Sequence, residues 1–376
     1  MVKKLTLSAG ILVLLLAAIP ASLLYFLAYT EAGLQFIVAR LPSRIGPVTM
    51  LAEGATGTIA GGLSLQHFHL EHELVSIDVR DVRGRVDVLP LLWQSIQVQD
   101  AHVDSLRIDA HRRKTPPPPR TPRFLPGFLS IEIPSADLRQ FTLVAINGTV
   151  LDFTEISAAG AIRPKTIRVY RAGARLADLR FDAIGLLTAA DPLRIEGSSR
   201  VSYTPAGLPR WVLNADLAGD LMALGINGQL TAPFRADLRR GVLQALGEWH
   251  FTGAAHVHDF DLRAFGAGPV LGLVSGDLAL ALDKAGYRAS GTLDSSGLHV
   301  GPFNVAFDGS YARKVLTARR IVLVHRGSGA QVEASGDIGI VPDGPQLTLA
   351  GKWTGFQWPL AGAEPAVRSA AGTFRL

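Results

Sequence analysis

Two histidine pairs are the residues of this sequence whose spacing could support metal chemistry. His67 and His69, followed by His72, form one group, and His256 and His258 form the other. In an extended strand, a spacing of two residues places both imidazoles on one face, where further ligands could complete a zinc site. Polar positions on the exposed face of a strand explain the same spacing without a metal. We therefore expect no metal and no cofactor.

The remaining motifs that could support catalysis are incomplete. The glycine-rich segment 266–272 has its third glycine one place later than a dinucleotide-binding loop requires, and Pro269 interrupts it. Asp259 and Asp261 lack the other ligands of a calcium loop, and Asn147 begins only a three-residue glycosylation acceptor. The sequence contains no Walker loop, nucleophile elbow or metalloprotease helix motif. It therefore predicts a protein that is not an enzyme.

The composition favours an apolar surface over a nucleic-acid partner. Of 376 residues, 48% are hydrophobic and 18% are charged, where soluble proteins have about 25% charged residues. The net charge of +5 comes from scattered single residues, and the short basic segment 111–114 lies beside a proline run, where we interpret it as a solvated loop. There is no cysteine, which excludes a disulfide scaffold and thiolate chemistry.

The N-terminal segment predicts a membrane anchor. Lys3 and Lys4 precede an uncharged run from residue 5 to residue 30, and about 20 apolar residues are enough to span a bilayer core. A signal peptide cleaved near Ile19 is the alternative, but the apolar run resumes at Leu23. We expect a single transmembrane helix over 1–30 in the inner membrane, with a cytoplasmic N-terminus and a periplasmic chain beyond it. The side chains assigned to this anchor are Leu5, Leu12, Leu16, Leu23 and Phe26.

The next segment, 31–47, is predicted to be a short amphipathic helix and a linker. The helix is expected to run from Glu31 to Ile45 and to end at Pro42 or at Gly46 and Pro47. Its apolar stripe consists of Leu34, Ile37, Val38 and Leu41.

Two β regions follow. Region 48–190 shows apolar and polar residues in strict alternation, as in segment 75–80, and is predicted to be an antiparallel meander with a short helical turn over 89–93. Its Pro-rich loop, 112–127, is expected to be a stiff connection projecting from a sheet edge, or a motif for aromatic-groove domains.

Region 191–376 repeats a looser unit of about 20 to 35 residues, which is typical of a stacked repeat structure. A glycine is expected to open or close each strand pair, as at Gly276, Gly291 and Gly336. The final segment, 372–376, resembles the middle of a strand, so the chain is expected to be truncated at its C-terminus.

The predicted fold class is therefore mainly β: an N-terminal transmembrane helix followed by an elongated, curled β-sheet, an open trough of repeated antiparallel meander units. A sandwich, in which the apolar face packs on a second sheet, is the alternative. An apolar face left open on a monomer requires a ligand, and acyl chains suit it because each buried CH₂ contributes about 0.8 kcal/mol. The predicted lipid-groove residues are Ile77, Val79, Val86, Val88, Ile96, Val98, Leu106, Ile108, Ile131 and Ile133.

Several segments also carry a resemblance to a known family. They are segment 53–63, segment 91–98, the Pro-rich loop together with segment 129–133 after it, and segment 353–360 with Gly372 after it. Together with the N-terminal anchor, they make the chain similar to the N-terminal part of TamB-like proteins. These are translocation and assembly module subunits in the AsmA-like group of bridge-like lipid transfer proteins.

The resemblance implies a periplasm-spanning β-structure with a hydrophobic groove and an outer-membrane partner of the Omp85 type, similar to TamA. It implies that phospholipids are carried between the inner and outer membranes in support of outer-membrane biogenesis. The alternative role is a scaffold for assembly or translocation of outer-membrane β-barrel proteins and autotransporters. Family members are longer, and the C-terminal domain that engages their partner is missing from this sequence.

Overall fold

The computed structural model shows a chain built mainly from β-strands, as the alternating sequence predicted. It describes residues 22–40, 44–45, 48–72, 75–111, 123–146, 148–204, 209–220, 222–244, 248–261, 272–296, 300–312, 315–341, 344–360 and 364–376. The chain divides into two units, Met1–Ala177 (unit 1) and Asp178–Leu376 (unit 2). The division falls in a turn, and the boundary expected at residue 190 falls in the next turn along the chain.

Unit 1 contains a helix pair and an open sheet. The helices are α1 (Ser22–Tyr29) and α2 (Glu31–Arg40). The strands are β1 (Arg44–Ile45), β2 (Val48–Glu53), β3 (Thr56–Thr58), β4 (Gly62–His72), β5 (Val75–Asp87), β6 (Ser95–Ala110), β7 (Ser130–Val144), β8 (Val150–Ile162) and β9 (Thr166–Leu176), with a 3₁₀ turn at Leu89–Trp93. From β4 to β9 each strand pairs with the next, and β4 also pairs with β2 and β3.

Unit 2 is a continuous antiparallel meander. Its strands are β10 (Leu179–Thr188), β11 (Arg194–Tyr203), β12 (Trp211–Asp220), β13 (Leu224–Ala232), β14 (Arg235–Gln244), β15 (His250–Asp261), β16 (Leu273–Asp283), β17 (Gly286–Ser295), β18 (Val300–Ala312), β19 (Val315–His325), β20 (Gln331–Val341), β21 (Gly344–Trp358) and β22 (Val367–Arg375). Each strand pairs with the next one in the chain. The described strands of this unit therefore belong to one sheet rather than to two facing layers.

The helix pair is sharply bent at the boundary that the sequence predicted between the membrane anchor and the helix after it. Within the described part of the chain no single helix has the length and apolarity to span a membrane, and α1 meets α2 at 87°. Thr30 stabilises the bend because its hydroxyl donates to the Phe26 carbonyl oxygen (2.6 Å) and accepts the Gly33 N–H (3.0 Å). A side chain at Gly33 would contact the Phe26 carbonyl oxygen, so glycine permits the close approach of the two helices. Leu5, Leu12 and Leu16 lie outside the described residues.

The predicted helix from Glu31 to Ile45 is wrong at its C-terminal end. Helix α2 starts at Glu31, as expected, but ends at Arg40, and Arg44 and Ile45 pair with Thr49 and Val48 of β2. Pro42 in the sequence explains the early end, because a proline disfavours helical backbone in the residue before it. Leu34 is buried, whereas Leu41 lies outside the described residues.

The Pro-rich connection does not join two antiparallel strands. Strands β6 and β7 are parallel, with Ile96 beside Ile131 and Ile108 beside Leu143. The meander predicted for this region is therefore not antiparallel throughout, whereas the projection of the Pro-rich loop from a sheet edge stays a prediction. Alternation of apolar residues fixes which face a strand presents but carries no information on its direction. Residues 112–122 of this connection lie outside the described residues.

The repeated glycines of unit 2 lie inside strands, which corrects the expectation that they open or close strand pairs. Gly276 and Gly336 have φ of 153° and 152°, a region that other residues rarely adopt. A Cβ on Gly276 would contact the Thr292 carbonyl oxygen, and a Cβ on Gly336 would contact that of Thr348. These glycines therefore mark places where neighbouring strands approach closely.

Candidate hydrophobic groove

In unit 1, apolar side chains from successive strands line up in rows across the sheet. One row consists of Leu70, Ile77, Ile108, Leu143 and Leu151, and the next consists of Phe68, Val79, Leu106, Phe141 and Phe153. The Phe141 and Phe153 rings stack with centroids 5.7 Å apart. The structure thus brings together four of the predicted groove residues, Ile77, Val79, Leu106 and Ile108. Their contact with lipid stays a prediction.

A shift of phase keeps the other predicted residues on the same face. Val86 lies nine positions after Ile77, and because nine is odd, strict alternation would send the two side chains to opposite faces. In β5, however, Arg80 and Asp81 are both exposed, Asp81 has φ of 51°, and the half-buried positions continue one residue out of phase. Val86 then pairs with Val98 of β6.

The same shift occurs in other strands of unit 1. Two successive exposed residues interrupt the alternation at Arg139–Gln140 in β7 and at Thr154–Glu155 in β8, where Glu155 has φ of 52°. Gln140 pairs with Thr154 and with Ser105 of β6, which itself pairs with Arg80. The shifts therefore form one line across the sheet, and the apolar face stays continuous on both sides of it.

The last predicted groove residues lie beyond this line. Ile96 pairs with Ile131, which pairs with Ile162 on its other side. Ile133 is placed opposite Gly160, and Val88, at the end of β5, is buried.

An apolar groove lies in unit 2, at a position that was not predicted from the sequence. We call it the unit 2 groove; its volume is about 420 Å³. Ten of its twelve lining residues are hydrophobic, four of them phenylalanines. The lining residues are Phe234, Val257, Phe260, Val274, Leu278, Leu293, Asp294, Ser295, Phe303, Val305, Phe307 and Leu323.

The register of strands β16 to β19 explains why these side chains converge. Leu293 pairs with Phe303, and Val305 pairs with Leu323, so residues two apart on each strand share one face. Gly276 lies between Val274 and Leu278 on that face and, having no side chain, leaves space within the groove. The alternation Phe303, Val305, Phe307 is visible in the sequence and could have identified the groove.

Aromatic rings form one end of the unit 2 groove. Phe234, in the turn between β13 and β14, contacts Phe260 at a centroid distance of 4.3 Å. Trp211 packs edge-on against Phe234 at 5.6 Å. Such ring contacts stabilise the groove wall beyond the effect of buried area alone.

Neither apolar face is covered by a conventional core. A globular domain usually has one contiguous cluster of buried side chains. Among the described residues, the buried hydrophobic cluster is limited to Ala330 and Leu360, with Phe303 packed against it. Of the residues that line the unit 2 groove, Val257 and Val305 are buried, whereas Leu278, Leu293 and Phe307 are only half-buried. Their apolar surface is therefore accessible to a ligand.

The histidine pairs bond to carboxylates of neighbouring strands. His67 Nε2 lies 2.7 Å from Asp78 Oδ2, and this hydrogen bond raises the pKa of His67 and lowers that of Asp78. His69 Nδ1 lies 3.6 Å from the same oxygen. Arg80 Nε donates to the other Asp78 oxygen at 3.1 Å.

In the second pair, each histidine bonds to a different aspartate. His256 Nδ1 lies 2.7 Å from Asp277 Oδ1, and His258 Nε2 lies 2.9 Å from Asp237 Oδ2. The hydrogen bond with His258, aided by one from Gln229, lowers the pKa of Asp237 to about 2. In the described part of the chain, no three histidine or acidic side chains are placed to hold a metal ion. These groups therefore act as cross-strand pairs on the polar face.

Comparison of the chain with protein-family models, curated proteins and solved structures finds no match. The groove geometry is therefore the main basis for a functional proposal.

The remaining predicted residues and motifs are accounted for as follows. Of the anchor residues, Leu23 and Phe26 lie in α1 and are exposed. Asp259 adopts φ of 44° and its carboxylate accepts a hydrogen bond from Ser275, so it takes part in a local strand irregularity. Asn147 and most of segment 266–272 lie outside the described residues.

Proposed function

We propose that this protein holds phospholipid acyl chains against its apolar sheet face and carries them between the inner and outer membranes. The observation that carries the proposal is the unit 2 groove, with ten hydrophobic lining residues. The half-buried apolar rows of unit 1 support it. In this proposal each sheet is an open trough, with hydrocarbon along its apolar face and polar headgroups in water.

The size and chemistry of the groove suit hydrocarbon. A volume of about 420 Å³ lies within the range of about 300 to 1,000 Å³ of small-molecule sites. Burying ten methylene groups there would contribute about 8 kcal/mol, at roughly 0.8 kcal/mol for each. An acyl chain needs no hydrogen-bond partner along its length, which matches a wall made almost entirely of aliphatic and phenyl groups.

We also propose that the N-terminal segment anchors the protein in the inner membrane. The uncharged run extends from residue 5 to residue 30 and ends in α1. Tyr25 and Tyr29 stack with centroids 5.3 Å apart and are exposed, as expected of aromatic residues at a membrane interface. Helix α2, at 87° to α1, would then lie along the membrane surface.

Photo-crosslinking tests the proposal in unit 1. A photoreactive residue placed at Val79, Val98 or Ile108 of the full chain should capture phospholipid in cells, because these positions share the apolar face. The matched control is Gln97, the neighbour of Val98 on the opposite face of β6. Equal capture of lipid at Gln97 and Val98 would refute the proposal.

A scaffold for outer-membrane β-barrel proteins, working with an Omp85-type partner, is the second candidate. In this role, client strands would add to a strand edge by main-chain hydrogen bonds, and β22, which pairs with β21 on one side, is the strand to test. In the same experiment, a probe at Ser369 or Ala371 of β22 should then capture barrel strands. The groove positions should capture no lipid.

A further inference from the structure

Three connections meet at the end of the unit 1 sheet where β5 and β8 stop and where β6, β7 and β9 start. Ser95 of β6 lies beside Ser130 of β7, and Ile162 of β8 lies beside the next residue of β7, so the connections at these strand ends are neighbours. We call this the turn end of unit 1, and its segments are 87–95, 123–130 and 162–166.

Large hydrophobic side chains are exposed at the turn end. Trp93 is 74% exposed, the highest value among the large hydrophobic side chains that the structure describes, and Leu89 and Phe128 are each 66% exposed. They come from two segments that are joined directly, because the Ser130 N–H donates to the Gln94 carbonyl oxygen at 3.1 Å. Exposed apolar side chains that are grouped in this way mark a surface of interaction.

The third segment adds positive charge to the same end. The Phe124 N–H donates to the Pro164 carbonyl oxygen at 2.8 Å, which joins segment 123–130 to the turn between β8 and β9. That turn contains Arg163 and Lys165, and both side chains are exposed. The cations are therefore held close to the apolar group by the backbone.

The balance of charge at the turn end is positive. Its three segments contain three cations, Arg123, Arg163 and Lys165, and one acid, Asp87. The Asp87 carboxylate accepts the N–H of Leu89 at 3.2 Å and so caps the 3₁₀ turn. The exposed cations complement an anionic surface.

The turn end also lies beside the helix pair. The Ala60 N–H, in the turn between β3 and β4, donates to the Ala28 carbonyl oxygen of α1 at 3.0 Å. In the same turn, the Ile59 carbonyl oxygen accepts the N–H of Val86, which directly precedes the turn end, at 2.9 Å. The helices that the proposed function places at the inner membrane are thus joined to this end of the sheet.

We infer that the turn end of unit 1 is a membrane-docking surface. Its three apolar side chains enter the interface of a phospholipid bilayer, and its three cations contact anionic headgroups. An exposed tryptophan beside cations favours a bilayer, because the indole ring prefers the headgroup level of a membrane. The inference rests on the proposed function and adds the partner that this end contacts, which is the bilayer itself.

Docking at this end would bring the apolar sheet face to the bilayer. Ile96, Ile131 and Ile162 pair in a row across β6, β7 and β8, and this row lies at the turn end. A lipid that leaves the bilayer here therefore meets the apolar face directly.

The test uses a fluorescent label whose contact with lipid can be measured. The chain has no cysteine, so Leu89→Cys or Phe128→Cys gives the full chain one site for the dye NBD. Ile146→Cys is the matched control, because Ile146 is 62% exposed in the turn at the opposite end of β7. Each labelled chain is reconstituted in vesicles of phosphatidylethanolamine and phosphatidylglycerol that contain a lipid with a nitroxide quencher on its acyl chain.

We expect the quencher to remove about half of the fluorescence at positions 89 and 128 and less than about a tenth at position 146, because docking side chains reach the boundary of the acyl region. Labels at 89 and 128 that are quenched no more than the label at 146 would overturn the inference. A blue shift of their emission without quenching would have the same meaning, since a protein would then cover this surface.

The role of the cations is tested in the chain labelled at position 128. Arg163→Gln combined with Lys165→Gln should lower the quenching about twofold, as should vesicles in which phosphatidylcholine replaces phosphatidylglycerol. Arg171→Gln combined with Arg175→Gln, further along β9, is the control and should leave the quenching unchanged. Equal effects of the two double variants would contradict the assigned role of the turn end.

The outcomes separate the inference from the proposed function, which is tested by lipid capture at Val79 and Ile108. If lipid is captured there but the labels at the turn end are not quenched, the inference alone is wrong. If the labels are quenched but no lipid is captured, the turn end docks on a membrane and the proposed function fails.

Discussion

At the level of single residues, histidine–carboxylate pairs link neighbouring strands on the polar face. His67 bonds to Asp78 in unit 1, and His258 bonds to Asp237 in unit 2. The spacing of two residues correctly predicted that each histidine pair lies on one strand. His67 and His69 lie on β4, and His256 and His258 lie on β15. The carboxylate partners come from neighbouring strands. Which carboxylates they are depends on the strand register, and the sequence does not reveal that register.

The His67–Asp78 pair predicts a dependence of stability on pH. The pKa of His67 is raised above its unfolded value of about 6.5, so its contribution is complete below that pH and is lost as pH rises through the raised pKa. The pKa of Asp78 is lowered, so its contribution is complete above about pH 4 and is lost as pH falls. The pair therefore stabilises the fold most at about pH 5 to 6.

Asp78→Asn tests this dependence. The loss of unfolding free energy should be largest at about pH 5.5 and smaller at about pH 8.5, and should stay within roughly 1 kcal/mol because the pair is partly exposed. Urea unfolding at the two pH values measures it. Asp137→Asn, at an exposed position on β7, is the control and should show no such pH dependence. A loss that is equal at both pH values would contradict the assignment.

At the level of elements, the phase shifts are what keep the apolar face of unit 1 continuous. Alternation in the sequence predicts strands and their two faces, but Ile77 and Val86 can share a face only because β5 shifts at Arg80 and Asp81. The signal is present in the sequence as two successive polar residues, Arg80 and Asp81, between apolar positions. The parallel pairing of β6 and β7 has no such signal, because neither strand's pattern encodes its direction.

Asp81→Val tests the phase shift. Asp81 has φ of 51°, where a β-branched side chain is strained by about 1 to 2 kcal/mol, so the variant should lose about that much unfolding free energy. Arg83→Val, two residues along β5 and also exposed, should change stability by less than about 0.5 kcal/mol. Chemical denaturation of both variants gives the comparison. Equal losses would show that Asp81 has ordinary extended backbone.

At the level of the whole molecule, the two units share one design, an open sheet with an apolar face and a polar face. The mainly β fold was predictable because alternation recurs along nearly the entire chain. The boundary between α1 and α2 was also predictable, since Glu31 ends the uncharged run there, but the 87° bend was not, because it depends on the contacts of Thr30 and Gly33. The unit 2 groove was missed because its lining comes from five strands and one turn, which are separated in sequence and meet only through strand pairing.

The central claim, that hydrocarbon occupies the apolar sheet face, is tested most directly by measuring how much phospholipid copurifies with the full chain. Leu278→Asp combined with Phe307→Asp places two charges in the unit 2 groove, whereas Ala279→Asp combined with Ala306→Asp places them at the neighbouring exposed positions of the same strands. Quantified by mass spectrometry, phospholipid should be lost at least tenfold from the groove variant and retained by the control, because a charge in an apolar site is strongly unfavourable. A folded groove variant that retains as much phospholipid as the wild type would contradict the account.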